Sequence, residues 1–318
     1  MIGEMTDTVS IVIPAYNHGD YLDEGIRSVL SQDYPDVELI VLDDGSTDKT
    51  REVLSKYGTD FRWETQENLG QARTLEKGWR MACGQILGYL SADDILLPSS
   101  VREAVAALAA HREAVGTYCD FQLIDPESRV IRTVQTPNYS YRDMLVTVTC
   151  PPGPGAFFRR SAYELAGPWD PSYRQMPDYD FWLRLGLCGN FIRIPRVLAG
   201  FRVHETSQSF ACTTPERAAE PVLIVQGILD RSDLPAECRL VGSKALAHAN
   251  LVSAQLHMRA GRIGAASACI RTAWSLSPKD TVSLTTFWLI LNGLFNRPGH
   301  RLMRWVRSLP SRNDAQAS

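Results

Sequence analysis

Val9-Ser-Ile-Val-Ile-Pro-Ala-Tyr-Asn17 and Val37-Glu-Leu-Ile-Val-Leu-Asp-Asp-Gly-Ser46 are the stretches whose reading decides the fold. The apolar runs Val9 to Ile13 and Val37 to Leu42 predict strands, each followed by turn-forming or polar residues. Between them Tyr21, Leu22, Ile26, Val29 and Leu30 recur at helical spacing, and Tyr34-Pro35 ends that helix. The alternation continues. Ser46 or Thr47 caps a helix through Tyr57, Phe61 to Thr65 forms a third strand, and Gly70 to Cys83 carries Ala72, Leu75, Trp79 and Ala82 at helical spacing. Ile86 to Leu90 is a fourth strand. Strands alternating with crossover helices predict an α/β fold with a mostly parallel sheet, whose ligands bind outside the carboxyl ends of the strands. Asp43, Asp44, Asp93 and Asp94 all fall at such ends.

Working outward, Pro98 opens another helix bearing Val101, Val105 and Leu108 on one face. Val115 to Gln122 and Val130 to Gln135 look like a pair of strands, and the Pro/Gly-rich Cys150 to Gly155 reads as a loop leading to a strand at Ala156 to Arg159. After Glu205 the alternation stops. Helices are predicted at Val222 to Leu229, Ala245 to Met258 and Ile263 to Leu276, with a last apolar segment near Phe287 to Phe295. A chain of 318 residues accommodates one large α/β body and a smaller appendage, because a single core stops growing at roughly 250–300 residues. The domains expected are therefore 1–212, split into halves 1–100 and 101–212, and a helical region 213–318.

Composition narrows the function classes. With 44% hydrophobic residues, 22% charged residues and a formal net charge of -3, nothing suggests a nucleic-acid binder. The seven cysteines form no CxxC pair and no zinc spacing, so they read as buried free thiols in a reducing compartment. The N-terminal MIGEMTDTVS is acidic where a signal peptide would be basic, which predicts a cytoplasmic protein.

Ser91-Ala92-Asp93-Asp94 ends an apolar strand, and adjacent carboxylates repel each other unless a cation or a donor compensates them. A divalent metal shared with diphosphate oxygens would do so, and an exposed turn or helix cap is the other reading. Asp43-Asp44 could accept from the imide N–H of a uracil or thymine ring or from guanine N1–H; a turn followed by a cap would satisfy the pair equally. Tyr16 either stacks on a base or belongs to the core.

Taken in order, Ile11-Val-Ile-Pro-Ala-Tyr-Asn17, Val41-Leu-Asp-Asp-Gly-Ser46, Glu67-Asn-Leu-Gly70 and Ser91-Ala-Asp-Asp94 closely resemble the family two glycosyltransferases over about residues 8–210. The resemblance implies the GT-A fold, with 1–100 as the nucleotide-binding half and 101–212 as the acceptor half. It implies nucleotide-sugar contacts from Pro14, Ala15, Tyr16, Asn17 and Asp44, with Arg73 near the diphosphate. The DxD-like motif maps onto Asp93 and Asp94, with Asp94 as the direct ligand of Mn2+ or Mg2+.

Asp178-Tyr-Asp-Phe-Trp-Leu-Arg-Leu185 resembles the family's acceptor-side motif, which places the general base at Asp178; the glutamate that often precedes it is Pro177 here. Asp180 is the competing base, although at a helix start such a residue more often serves as a cap or structural anion. Phe201-Arg-Val-His-Glu-Thr-Ser-Gln-Ser209 resembles a further segment. There His204 either completes the metal sphere, touches the diphosphate or is structural, and Ser207 could donate to phosphate.

The implied activity is inverting, metal-dependent transfer of a sugar from a UDP-, dTDP- or GDP-linked donor to a glycan or lipid-linked acceptor. The QxxRW pattern of processive synthases is absent, so one sugar per encounter is expected. A nucleotidyltransferase is the nearest enzymatic alternative and lacks its Gly-rich basic loop here; a nucleotide-sugar-binding scaffold is the non-enzymatic one.

Ala245 to Pro278 resembles a tetratricopeptide-like hairpin. Arg297, Arg301, Arg304, Arg307 and Arg312 follow the apolar Phe287-Trp-Leu-Ile-Leu291, a run too short to span a bilayer, which requires about 20 residues. Peripheral contact with an anionic membrane surface is one reading of that tail, and packing on the catalytic domain the other.

Overall fold

Val9–Ala15 (β1) is buried at every position and is the strand on which the sheet is laid down. Val37–Asp43 (β2) pairs with it in parallel, Arg62–Thr65 (β3) extends the sheet beyond β2, and Ile86–Tyr89 (β4) pairs in parallel on the other side of β1. Leu22–Leu30 (α1), Thr50–Ser55 (α2) and Gln71–Met81 (α3) are the connecting helices. The computed structural model describes residues 7–204 and 213–282; Ser207 and the arginine-rich tail lie outside them.

One boundary differs from expectation. α2 starts at Thr50 because Asp48 Oδ1, not Ser46 or Thr47, accepts from the Thr50 amide at 2.9 Å. The Ser46 hydroxyl is engaged elsewhere, accepting from the Asn17 amide.

Past β4 the chain forms Ile95–Leu96 (β5), Ser100–Ala110 (α4), Gly116–Ile124 (β6), Val130–Val134 (β7), Tyr141–Thr147 (α5), Phe157–Arg159 (β8), Arg160–Ala166 (α6), Pro177–Leu187 (α7) and Phe191–Arg202 (β9). The strand order is β3-β2-β1-β4-β8-β6-β9-β5, with β7 on β6. β6 and β9 run parallel, whereas β8 is antiparallel to both its neighbours, β5 to β9 and β7 to β6. Parallel pairing thus prevails in the first half and a mixed pattern in the second. No alternation signalled β9. Pro195 cannot donate to a ladder, and the β6–β9 register shifts beside Asp120 to accommodate the irregular stretch.

Two groups of side chains fill this body. Ile11, Ile13, Ile26, Val41, Leu54 and Leu108 belong to an aliphatic core against β1 and β2. Trp79 anchors an aromatic cluster, stacked on Phe181 with centroids 5.7 Å apart and edge-on to Phe158 at 5.4 Å. Its indole also donates to the Gly88 carbonyl at 3.1 Å, so the buried ring leaves no polar atom unsatisfied.

By its contacts the chain divides into two units: residues 1–139, 150–172 and 180–202, and residues 140–149, 173–179 and 203–318. The second contains α5 with Pro215–Leu229 (α8), Ala236–Leu240 (α9), Gly242–Arg259 (α10), Ile263–Leu276 (α11) and Pro278–Thr281 (α12). α8 begins seven residues before the expected Val222, because Pro215 suits a first turn and Thr214 caps it, while Pro221 is tolerated inside. Buried Ala247, Ala254, Ala266 and Ala273 let α10 and α11 pack closely. No disulfide joins the described cysteines; Cys119 and Cys238 are buried as expected, but Cys83 is exposed just after α3. Among the described residues no helix is long and apolar enough to cross a membrane.

Candidate active site

The ends of β1 and β2 are sewn together by their own turn residues. Asn17 takes a left-handed conformation with φ 55°, its amide donates to Ser46 Oγ at 2.9 Å, and its Oδ1 accepts from the Thr47 amide at 2.8 Å. The Asp44 amide donates to the Ala15 carbonyl at 2.8 Å. Pro14 and Ala15 are buried beneath this seam, while Tyr16 is 45% exposed and so is not a core aromatic.

Both aspartates at the carboxyl end of β2 are buried and engaged. Asp43 accepts from the Ser46 amide and from Arg51 Nε, each at 2.9 Å. Asp44 Oδ1 accepts from the Leu69 amide at 2.8 Å and Gln66 Nε2 at 2.9 Å, and its Oδ2 from the Gly70 amide at 2.8 Å. Three of a carboxylate's roughly four acceptor positions therefore hold the 66–70 loop in place. Gly45 makes this approach possible: its φ is +79°, and a Cβ there would stand 2.9 Å from the Asn68 amide nitrogen. Gly70 leads into α3, whose first turn carries the exposed Arg73. Pro14 to Asn17, Asp44 and the start of α3 thus form one continuous rim.

Past β4, the Asp94 amide closes a turn onto the Ser91 carbonyl at 3.0 Å. Asp93 Oδ2 lies 3.9 Å from His18 Nε2. Asp94 is 4% exposed, and its Oδ1 accepts from the Arg202 amide at 2.9 Å. Burial and the adjacent Asp93 hold the Asp94 carboxyl well above the usual carboxylate range. A cation would reverse that. Asp93 with the His18 imidazole beside it is a carboxylate–imidazole pair of the kind that hard to borderline divalent ions accept.

Arg202 is the largest contributor that sequence reading missed. Fully buried, its guanidinium donates from Nε to the Asp93 carbonyl at 2.7 Å and from Nη1 to the Asp125 carbonyl, the Pro126 carbonyl and Ser128 Oγ at 3.0, 3.1 and 2.9 Å. Nη2 reaches Glu24 Oε2 at 2.7 Å, and the group lies over the Tyr21 ring with 5.0 Å to the centroid. The only signal was its place in Phe201-Arg-Val-His204. His18 was also missed; it directly follows Asn17.

The two candidate bases at the start of α7 have different surroundings. Asp180 Oδ2 is bound by Arg184 through Nε at 2.9 Å and Nη2 at 2.7 Å, and Arg184 also donates to the carbonyls of Ala166, Gly167 and Pro168. That aspartate anchors a loop. Burial pushes the Asp178 carboxyl above its ordinary value, opposed in part by main-chain amides including that of Tyr179. His204 is buried two residues past β9 and belongs to the second unit.

The family model described as "Glycosyl transferase family 2" matches residues 10–165. An uncharacterized glycosyltransferase of Rickettsia typhi is 30% identical over 205 residues, 62% of this chain and 64% of the relative, so the match spans less than two thirds of that relative's length. Among solved structures, S. aureus TarS 1-349 in complex with UDP-GlcNAc gives a TM-score of 0.57 at 19% identity, covering 90% of this chain and 79% of that one. The mannosyltransferase PcManGT from Pyrobaculum calidifontis, in complex with GDP-Man and Mn2+, gives 0.59 at 18% identity, covering 95% and 84%.

Proposed function

This chain belongs to glycosyl transferase family 2 through residues 10–165 and has the GT-A fold, and from that premise we propose that it transfers a sugar, with inversion, from a nucleoside diphosphate sugar to an acceptor hydroxyl. The observation that carries the reading is the rim at the carboxyl ends of β1, β2 and β4, where Asn17, Asp44 and Asp94 are each fixed by main-chain hydrogen bonds.

Tyr16 stacks on the base, with Pro14, Ala15 and Asn17 forming the edge beside it. Asp44 offers its remaining acceptor position to the base's ring N–H, which suits uracil, thymine or guanine. The UDP-GlcNAc and GDP-Man complexes of the structural neighbours support donors of this class. Asp94 would be the direct ligand of Mn2+ or Mg2+, with His204 as a further ligand and Asp93 contacting the nucleotide sugar; the Mn2+ in the mannosyltransferase complex supports this choice. When bound, such an ion would supply positive charge to offset the departing diphosphate. Arg73 and Ser207 donate to the same phosphates. Asp178 takes the proton from the acceptor hydroxyl as the hydroxyl oxygen attacks the anomeric carbon and the diphosphate leaves from the opposite face.

The acceptor we propose is a glycan or lipid-linked saccharide on the cytoplasmic side, reached through peripheral contact of the arginine-rich 287–318 segment with an anionic membrane. The full chain should then sediment with anionic liposomes at low salt, and a chain lacking 287–318 should not; absence of sedimentation by the full chain removes this part. The donor reading is tested by thermal stabilisation and hydrolysis across UDP-, dTDP- and GDP-sugars with Mn2+, Mg2+ or chelator. One donor should stabilise the protein only with metal, and stabilisation by none of them would overturn the assignment.

A further inference from the structure

Glu220 lies in α8, far in sequence from the catalytic motifs, and is 4% exposed. Its Oε1 accepts from the Arg174 amide at 2.8 Å, and its Oε2 from the amides of Gln175 and Met176 at 2.6 and 3.0 Å. Three successive main-chain N–H groups converge on one carboxylate. Such a concavity of amides is an anion nest, and charge-assisted bonds of this kind are stronger than neutral ones. The residues so held lead directly into Pro177 and Asp178.

The other side of Asp178 is held as well. Tyr179 is fully buried, and its hydroxyl donates to the Met144 carbonyl in α5 at 3.1 Å. Asp178 therefore sits between two fixed points, one of which is a buried carboxylate. Pro177 opens α7 and supplies neither a carboxylate nor an N–H to organise this entry.

We propose that Glu220 is a positioning residue for the base, fixing Asp178 through the amides of residues 174–176. The proposal rests on the assignment of Asp178 as base.

The test uses the full chain with Glu220→Gln, Asp178→Asn and the double variant. Gln keeps the size but turns an amide nitrogen toward main-chain donors. Glu220→Gln should lower kcat by about ten- to a hundredfold while donor KM and Kd stay within about twofold. In the Asp178→Asn background it should lower kcat no further, because both changes act on one proton transfer. An unchanged kcat, an equal loss in both backgrounds or a weakened donor Kd would overturn the proposal.

Wild-type kcat in Asp178→Asn alone would instead refute the base assignment, whatever Glu220 does. If Glu220→Gln does not fold, Glu220→Asp serves, with the charge kept on a shorter reach and the same kcat-against-KM split expected. Hydrogen exchange in the wild-type chain is an independent measure: amides 174–176 should be as protected as those within α7, and rapid exchange there would count against the anchor.

Discussion

The Arg202 amide donates to Asp94 Oδ1 at 2.9 Å while its guanidinium Nε donates to the Asp93 carbonyl at 2.7 Å, so one residue of β9 holds both the backbone and the side chain of the acidic turn. The same guanidinium ties α1 through Glu24 and the β6–β7 connection through Asp125, Pro126 and Ser128. Gly25 in α1 allows this closeness, since a Cβ there would stand 3.2 Å from the Asp94 carbonyl oxygen.

Arg202→Lys should therefore affect stability and metal binding together. A lysine keeps the charge but cannot reproduce the fork of donors, and breaking a buried charged cluster costs about 3–5 kcal/mol. Residues that orient metal ligands typically change metal affinity by about ten- to a hundredfold. Thermal unfolding and Mn2+ titration with nucleoside diphosphate measure the two effects. Wild-type Mn2+ affinity in a folded variant would reduce Arg202 to scaffolding.

Asp94→Ala removes the carboxylate itself and should weaken Mn2+-dependent donor binding by more than about a hundredfold, beyond the loss expected from an orienting residue. Asp93→Ala is the informative comparison, because Asp93 rather than Asp94 lies beside His18. Calorimetry of donor binding with Mn2+ and with chelator reads both. Donor affinity unchanged by Asp94→Ala in Mn2+ would transfer the ligand role to Asp93.

Asp178→Asn should lower kcat by about two to four orders of magnitude with little change in donor affinity. Because burial raises the carboxyl, the acid limb of kcat/KM should have its midpoint above the ordinary aspartate value of 3.8. The same shift predicts a sign for stability. A raised carboxyl means the folded state keeps its proton to higher pH than the unfolded chain does, so this contribution is present at low pH and lost as pH rises through the folded value. Asp178→Asn should then be more stable than wild type near neutral pH, with the gap closing toward pH about 4. Melting temperatures of both proteins across that range decide it, and a gap that widens on acidification would contradict the shift.

The rim at the carboxyl ends of β1, β2 and β4 was legible because its signals are local. Each of these strands is a short apolar run with polar or turn-forming residues after it, so the placement of Pro14 to Asn17, Asp44 and Asp94 at strand ends followed from order and spacing. Arg202 and Glu220 were not legible for the opposite reason. Arg202 meets Asp94 across 108 positions of sequence, and Glu220 meets the 174–176 amides across 44 to 46, so no window contains both partners. β9 was hidden by chemistry rather than distance, since Arg193, Pro195 and Arg196 interrupt its apolar pattern and Arg193 is instead paired with Asp120 at 2.9 Å.

Tyr16 offers a test of the rim that involves neither metal nor base. Its ring is half-exposed directly beside Asn17, whose left-handed turn is fixed by Ser46 and Thr47, so the backbone presenting the ring does not depend on the ring's own packing. Tyr16→Ala should leave the melting temperature close to wild type. Stacking of a base on an aromatic ring is worth about 1–3 kcal/mol by alanine substitution, which corresponds to about five- to 150-fold in affinity. The same factor should appear for the free nucleoside diphosphate as for the nucleotide sugar, since both carry the base, and Tyr16→Phe should restore most of it. Fluorescence or calorimetric titration of both ligands measures this. Equal affinity in Tyr16→Ala would move the base away from β1, and a loss seen for the sugar donor alone would place Tyr16 beside the sugar instead.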